Sequence, residues 1–212
     1  MLTALPREVS GFNSVEWLVI DDGSTDRTVQ VAKEYGVDHV VRVFPRSGLA
    51  FAFKKGLEAC LAAGADVIVN TDGDNQYCAD DIAKLTRPIL EGRAGFVIGE
   101  RPILQMRRFS FIKKGLQRAG SRVVSLAAGV RVPDATSGFR AMSRATAESL
   151  RVLSRYTFTA ETLIQAGRNG VCVEFVPVRV NEVTRPSRLI PNLPSYVFKQ
   201  AETIVKTYWL YR

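Results

Sequence analysis

Histidine is nearly missing from this chain: His39 is the only one in 212 residues. An imidazole-built zinc site therefore lacks ligands, and His39 opens an apolar run where strand packing accounts for it. Cysteine is scarce as well. Cys60, Cys78 and Cys172 lie far apart with no Cys-x-x-Cys pair, which excludes a disulfide scaffold and points to a reducing cytoplasm. Cys60 and Cys172 sit in apolar surroundings and are expected to be core thiols, and no base stands near Cys78 in sequence. No window approaches the roughly 18 uninterrupted apolar residues of a membrane span, and Met1 is followed by no charged, apolar and small-residue leader pattern. Internal repeats, low-complexity tracts and a clear linker are all lacking.

What is present suits a globular domain that buries its own core. Hydrophobic residues make up 46% and charged residues 24%, a balance that excludes disorder. The net charge of +8 hides an asymmetry. Residues 1–106 hold 11 Lys and Arg against 15 Asp and Glu, whereas residues 107–212 hold 18 against 6. An acidic half suits a cation or sugar hydroxyls, and a basic half suits phosphates, nucleic acid or an anionic membrane surface. No nucleic-acid recognition motif accompanies the basic half, and its aromatics are not interleaved with the bases, so nucleic acid is not an expected partner.

The first half alternates apolar runs with helical stretches, the pattern of an α/β fold with a mostly parallel sheet flanked by helices. Strands are expected at Val15–Ile20, His39–Phe44, Asp66–Asn70, Gly95–Gly99 and Val171–Val180. Helices are expected at Thr28–Tyr35, Leu49–Ala63, about Asp80–Leu90, Phe109–Ala128, Arg144–Leu153 and Thr159–Arg168. The stretch VPDATSGFRAMSR reads as a loop. From Tyr196, the residues Val197, Ala201, Ile204, Val205 and Tyr208 recur at helical spacing, so a C-terminal amphipathic helix over 196–212 is expected to follow a domain over 1–195.

Two acidic clusters stand at the ends of expected parallel strands, where open α/β sheets hold ligands. The first is Asp21-Asp22-Gly23-Ser24-Thr25-Asp26, which also reads as a solvated turn that caps the next helix. The second is Asp72-Gly73-Asp74 followed by Asn75 and Gln76. Two carboxylates flanking a glycine are hard oxygen ligands, suited to a divalent cation that also grips phosphates. A single such turn is a weak signal. Two together are stronger, because gathered carboxylates need a compensating cation.

In order along the chain, VIDDGSTDRT, NTDGDNQY, GERP, DATSGFRAMSR, YTFTAETLIQAG and VEFVPVRVNEVTRPSRL resemble the family 2 glycosyltransferases of GT-A fold. The likeness is greatest to the dolichyl-phosphate mannose synthase and bacterial polyprenyl-phosphate glycosyltransferase type. It implies that Asp22 meets the base of a nucleotide-sugar donor, UDP- or GDP-linked, with Asp21 and Ser24 supporting the turn. It implies that Asp72 and Asp74 form the metal-binding pair for Mg²⁺ or Mn²⁺, with Gln76 completing the shell. Arg101 and Arg140 match basic residues near the phosphates, Arg185, Ser187 and Arg188 match a loop that closes over donor and acceptor, and Glu161 matches an acidic residue near the acceptor.

The implied reaction is inverting transfer of a sugar to a polyprenyl phosphate or another acceptor, by an enzyme in the cytoplasm or against the membrane. Its catalytic set is Asp74, Arg101, Arg140 and Glu161. A phosphate acceptor is already ionised near neutral pH. A hydroxyl acceptor needs a base, for which Glu161 and Asp134 are the candidates. Members of the family normally begin with a strand bearing a Pro and an Asn-Glu pair, and Met1–Arg7 resembles the tail of the helix after it. The expectation is therefore an N-terminally truncated form whose strands ending near Asp22 and Asp72 have unpaired or re-paired edges. A non-catalytic relative and a sugar-1-phosphate nucleotidyltransferase are the alternatives, although the second lacks its Gly-rich, basic loop.

Overall fold

The computed structural model describes residues 1–103, 111–154, 156–181 and 193–211. The apolar run before the first acidic cluster forms β1 (Leu18–Asp21), and α1 (Thr28–Glu34) carries the chain to β2 (His39–Arg42). The two strands pair in parallel, Leu18 opposite His39 and Asp21 opposite Arg42. Next come α2 (Leu49–Ala62), β3 (Val67–Asn70), α3 (Ile82–Leu90) and β4 (Phe96–Glu100). The remaining elements are α4 (Phe111–Ala128), β5 (Arg140–Ser143), α5 (Arg144–Ser149), α6 (Thr159–Arg168), β6 (Val173–Pro177) and α7 (Leu193–Leu210).

A second sheet has the order β3-β5-β4-β6. β5 runs antiparallel to both neighbours while β4 and β6 are parallel, so three of these four strands share one direction. β5 corrects the expectation of a loop over this stretch. Four residues are too few to show a period, and Arg140 and Ser143 disguise the apolar centre. Between β3 and β4 both of its edges are paired, and Ala141 and Met142 are fully buried on opposite faces.

Helices cover both faces, as apolar strands require. On one side Phe53 and Leu57 of α2, Val124 and Ala128 of α4, and Leu163 and Ile164 of α6 pack on Ile68, Phe96, Ile98 and Met142. On the other, Ile82 and Leu85 of α3 join Tyr77, Val97, Phe139 and Ala141. Cys60 packs against the first cluster and burial raises its thiol pKa, whereas Cys172 is exposed and not the core thiol expected.

β1 pairs only with β2 and β3 only with β5 among the described residues. The facing edges of β1 and β3 line one cavity of about 1850 Å³, reached by Leu18, Val19 and Ile20 from one wall and by Val67, Ile68 and Val69 from the other. Both strands end at this cavity in their acidic turns, so it is the cleft between the two clusters.

The C-terminal helix divides its apolar residues. Ile204 and Tyr208 pack on the core, and the Arg168 guanidinium lies 5.0 Å from the Tyr208 ring centre. Val197 and Val205 stay exposed. No described helix is long and apolar enough to cross a membrane.

Two packing features lead to measurable outcomes. A Cβ at Gly167 would lie 2.3 Å from the Ala128 carbonyl oxygen, where α6 meets α4, whereas one at Gly120 meets nothing within 4 Å. Gly167→Ala should therefore cost about 1–3 kcal/mol by overpacking, while Gly120→Ala should add about 0.5–1 kcal/mol of helix propensity. Urea unfolding of both variants checks the opposite signs, and equal shifts would refute the close α4–α6 contact.

Asp81 supplies a pH dependence. Its fully buried carboxylate accepts from the Arg179 backbone N–H at 2.7 Å and the Arg179 guanidinium at 2.9 Å, and pairs with Lys84 at 2.8 Å. Burial alone raises its pKa, but the bonds from Arg179 and Lys84 bring it down to about 2. A carboxylate depressed on folding stabilises the fold above its unfolded pKa of about 4, and that stability fades as pH falls through the folded value. Stability should thus decline between about pH 4 and 2, and Asp81→Asn should flatten that part of the profile measured by denaturant titration.

Candidate active site

The turn after β3 presents Asp72, Gly73 and Asp74 at the strand's C-terminal end, and Asp72 and Gly73 line the cleft. Asp74 Oδ1 accepts the Gln76 N–H at 3.0 Å, closing the turn on itself, and Asn75 adopts a left-handed φ of 59°. Asn181, on the segment after β6, fastens the turn from outside. Its side-chain amide donates to the Asn75 and Tyr77 carbonyls, and its N–H donates to the Gln76 carbonyl.

Asp72 occupies the most strained electrostatic position in this turn. Burial and the nearby Asp74 charge push its pKa up to about 6, against the pull of Arg101 and Arg140. Its carboxyl touches the loop before β5. A Cβ at Gly138 would fall 2.7 Å from Asp72 Oδ1, so only glycine lets that backbone approach. The Tyr77 hydroxyl accepts the Gly138 N–H at 3.0 Å, and the Tyr77 ring stacks on Phe139. The loop is thereby held against the acidic turn.

Arg101, just beyond β4, completes the cluster. Its Nε and Nη2 donate to the two oxygens of Asp134 at 2.7 and 2.9 Å, and Nη2 also donates to Thr136 Oγ1 at 2.7 Å. Burial works against the charge of Arg101, but Asp134 outweighs it and the guanidinium pKa ends above its ordinary value. Asp134 is fully buried; burial raises its carboxyl, yet Arg101 and Thr136 hold it below the ordinary range. It is therefore the counter-ion of Arg101, with both oxygens engaged.

The opposite wall carries the first cluster. Asp21 is buried and its Oδ1 accepts the Ser24 N–H at 3.0 Å, while Oδ2 has Arg42 Nε at 3.4 Å and no hydrogen bond. Asp22 accepts the Ser47 and Gly48 N–H groups at 2.8 and 2.9 Å, one on each oxygen, and so caps the start of α2. It also lines the cleft. Asp22 thus lines the cavity and also has a capping task that spacing did not reveal.

Two expected site residues face inward. Arg140 is fully buried, and its guanidinium donates to the Ser137, Thr159 and Ala135 carbonyls and Thr162 Oγ1, within 6 Å of the Phe96 and Phe158 rings. Burial lowers its pKa to about 10. Those partners tie the loop before β5 to α6, and the Arg140 charge still acts on Asp72. Glu161 is 2% exposed and accepts the Leu153 and Ser154 N–H groups at 2.9 and 3.1 Å. Burial raises its pKa against those bonds, and the carboxylate anchors the loop before α6 in place of facing an open acceptor site. Arg185, Ser187 and Arg188 lie outside the described residues.

The structure therefore brings together Asp72, Asp74 and Arg101 and sets Asp21, Asp22 and Ser24 across the cleft. It adds Tyr77, Thr136, Gly138 and Asn181, whose roles are contacts between distant segments. All four stand inside motifs quoted from the sequence, which does not say which of them meet.

A family model described as glycosyl transferase family 2 matches residues 7–151. Among curated proteins, the chain is 28% identical over 203 residues to the UDP-N-acetylglucosamine--dolichyl-phosphate N-acetylglucosaminyltransferase of Methanococcus voltae, covering 84% of this chain and 80% of the other. It is also 28% identical over 203 residues to the polyprenol monophosphomannose synthase of Mycolicibacterium smegmatis, covering 89% and 76%. Among solved structures, glucosyl-3-phosphoglycerate synthase from Mycobacterium tuberculosis, in complex with Mn²⁺, UDP and glucosyl-3-phosphoglycerate, superposes with a TM-score of 0.67. That match has 22% identity and covers 99% of this chain and 73% of the other, a likeness of fold.

The buried Arg101–Asp134 pair gives the testable consequence of this geometry. Asp134→Asn leaves a buried guanidinium without its counter-charge and should cost about 3–5 kcal/mol. Joint replacement, Arg101→Met with Asp134→Leu, removes both charges and should restore most of that loss. Guanidinium unfolding of the single and double variants reads the difference, and an undiminished Asp134→Asn protein would show that the pair anchors nothing.

Proposed function

From the premise that the chain belongs to glycosyl transferase family 2, and is a glycosyltransferase of GT-A fold, we propose that it moves a sugar from a nucleoside diphosphate donor to a polyprenyl phosphate. The observation that carries this reading is the Asp72/Asp74 pair beside Arg101, facing Asp22 across the cleft. The base and ribose lie against the Asp21–Ser24 wall, and the diphosphate lies over the acidic turn. The two relatives, an N-acetylglucosaminyltransferase of dolichyl phosphate and a polyprenol monophosphomannose synthase, support the acceptor class.

Asp72 and Asp74 are a fitting hard-oxygen pair for Mg²⁺ or Mn²⁺. Two neighbouring carboxylates, one already pushed toward protonation by burial and by the other, are relieved by a cation. Such a cation supplies charge that steadies the departing diphosphate. Asp72 and Asp74 would hold the cation, and Gln76, two residues after Asp74, would be a further oxygen donor to it.

An acceptor phosphate oxygen attacks the anomeric carbon on the face away from the diphosphate. The bond from that carbon to the diphosphate oxygen breaks, its electron pair leaves with the nucleoside diphosphate, and the configuration inverts. Arg101, kept charged by Asp134, contributes positive potential to the phosphate region as negative charge develops. The engagement of Glu161 by backbone N–H groups and of Asp134 by Arg101 favours an acceptor that needs no base. An ionised phosphate is such a nucleophile.

The test is donor turnover with polyprenyl phosphate in wild type and Asp74→Asn, across UDP- and GDP-sugars with Mn²⁺, Mg²⁺ or chelator. Asp74→Asn keeps the side chain's shape and its turn, so turnover should fall about 100- to 1000-fold with little change in melting temperature. Full turnover by the variant in chelator would overturn the metal assignment. Absence of a melting-temperature rise with every nucleotide sugar would overturn the donor reading.

A further inference from the structure

We propose that Asn181 is a positioning residue for the divalent cation: by holding three successive carbonyls of the acidic turn, it presets that turn in the shape that binds the ion. The inference rests on the reading of Asp72 and Asp74 as the pair that holds the ion. It adds a residue 106 positions beyond Asn75, on the far side of the molecule's sequence.

Asn181 Nδ2 donates to the Asn75 carbonyl at 3.0 Å and to the Tyr77 carbonyl at 3.1 Å, and its main-chain N–H donates to the Gln76 carbonyl at 2.8 Å. One residue thus engages the carbonyls of 75, 76 and 77. Only the NH₂ end of an amide can serve two carbonyls, so the partners fix which way the side chain points. Asn75 stands in the left-handed region at φ 59°, which residues with a Cβ enter at a cost and which asparagine tolerates better than most. The bond to its carbonyl helps to hold it there.

These bonds decide what the turn offers a cation. Backbone carbonyls and carboxylates are alternative hard-oxygen ligands in loops of this kind. Here the carbonyls of 75–77 are taken up by Asn181, so an ion is left with side-chain oxygens there, beside the carboxylates of Asp72 and Asp74. Asp74 Oδ1 accepts the Gln76 N–H at 3.0 Å, a bond that requires the turn to keep its curvature. A turn already in that shape loses little chain entropy when the ion arrives. A loosened turn must be ordered by the ion itself, which lowers its affinity.

Joining the two segments does not depend on the Asn181 side chain. They also meet at a bridge between Tyr77 and Val180, through the Cys78 N–H on the Arg179 carbonyl at 3.3 Å, and through the Asp81 carboxylate, which accepts from the Arg179 N–H and guanidinium. Those contacts lie over residues 77–81, downstream of the carboxylate pair. What the Asn181 amide adds reaches back to Asn75, next to Asp74. Its effect is therefore expected at the ion, and that of Asp81 in the stability of the fold.

The experiment is Mn²⁺ titration of the full chain with UDP or GDP present, the bound ion read from loss of the free Mn²⁺ paramagnetic resonance signal, with melting temperatures measured on the same samples. Three variants are compared with wild type: Asn181→Ala, Asn181→Leu and Asp81→Asn. Asn181 is half-buried, and leucine keeps its bulk while donating nothing from the side chain. Both Asn181 variants should bind Mn²⁺ about tenfold or more weakly, with melting temperatures close to wild type. Asp81→Asn should melt lower and keep its Mn²⁺ affinity. Wild-type affinity in Asn181→Leu would trace the effect to bulk, and an equal loss in Asp81→Asn would trace it to the junction as a whole; either overturns the proposal. Unchanged Mn²⁺ binding in both Asn181 variants overturns it alone, whereas absence of Mn²⁺ binding by wild type overturns it together with the metal assignment.

Discussion

The bidentate pair between Arg101 and Asp134 ties the exit of β4 to the loop that leads into β5, beside the bond from the Gly99 N–H to the Phe139 carbonyl. Because both groups are buried, neither can be left alone, and that obligation fixes the loop. Thr136 then meets Gln117 of α4, Gly138 is set against Asp72 by the Tyr77 hydroxyl, and Arg140 draws the following strand toward α6. The acidic turn, the basic residue and the helix that flanks them thus meet at this charge pair. The same pair keeps Arg101 cationic in a place where burial works against it.

The second constraint is the division of the sheet. The Asp21–Ser24 turn and the Asp72–Asp74 turn sit at the ends of strands that belong to different sheets, with a cavity of about 1850 Å³ between them. Its walls are the unpaired edges of apolar strands, which is where the fold has least internal support.

Much of this was legible from residue order. The strands at Leu18, His39, Val67, Phe96 and Val173 and the helices between them follow from apolar runs, helix periodicity and terminating glycines, because those are local signals. β5 was not, since four residues between two strands have no period of their own and take their structure from partners about 70 and 44 residues earlier in the chain, Val69 and Val97 opposite Ala141. The same limit applies to side chains. Arg140 and Glu161 look like exposed reactive groups in a motif, and whether such a group faces a ligand or the core depends on which carbonyls and N–H groups the fold delivers to it.

By itself the sequence determined the α/β class, the placing of two carboxylate clusters at strand ends and the family, because each is written in short-range pattern or in motifs that survive as strings. Tertiary structure alone decided that Asp134 is the counter-ion of Arg101, that burial and the Asp74 charge push the Asp72 pKa up to about 6, and that α7 turns Ile204 and Tyr208 inward. The physical reason is the same in each case. Burial and charge proximity are properties of distances between residues remote in the chain, and a linear pattern records which groups exist without recording which of them meet.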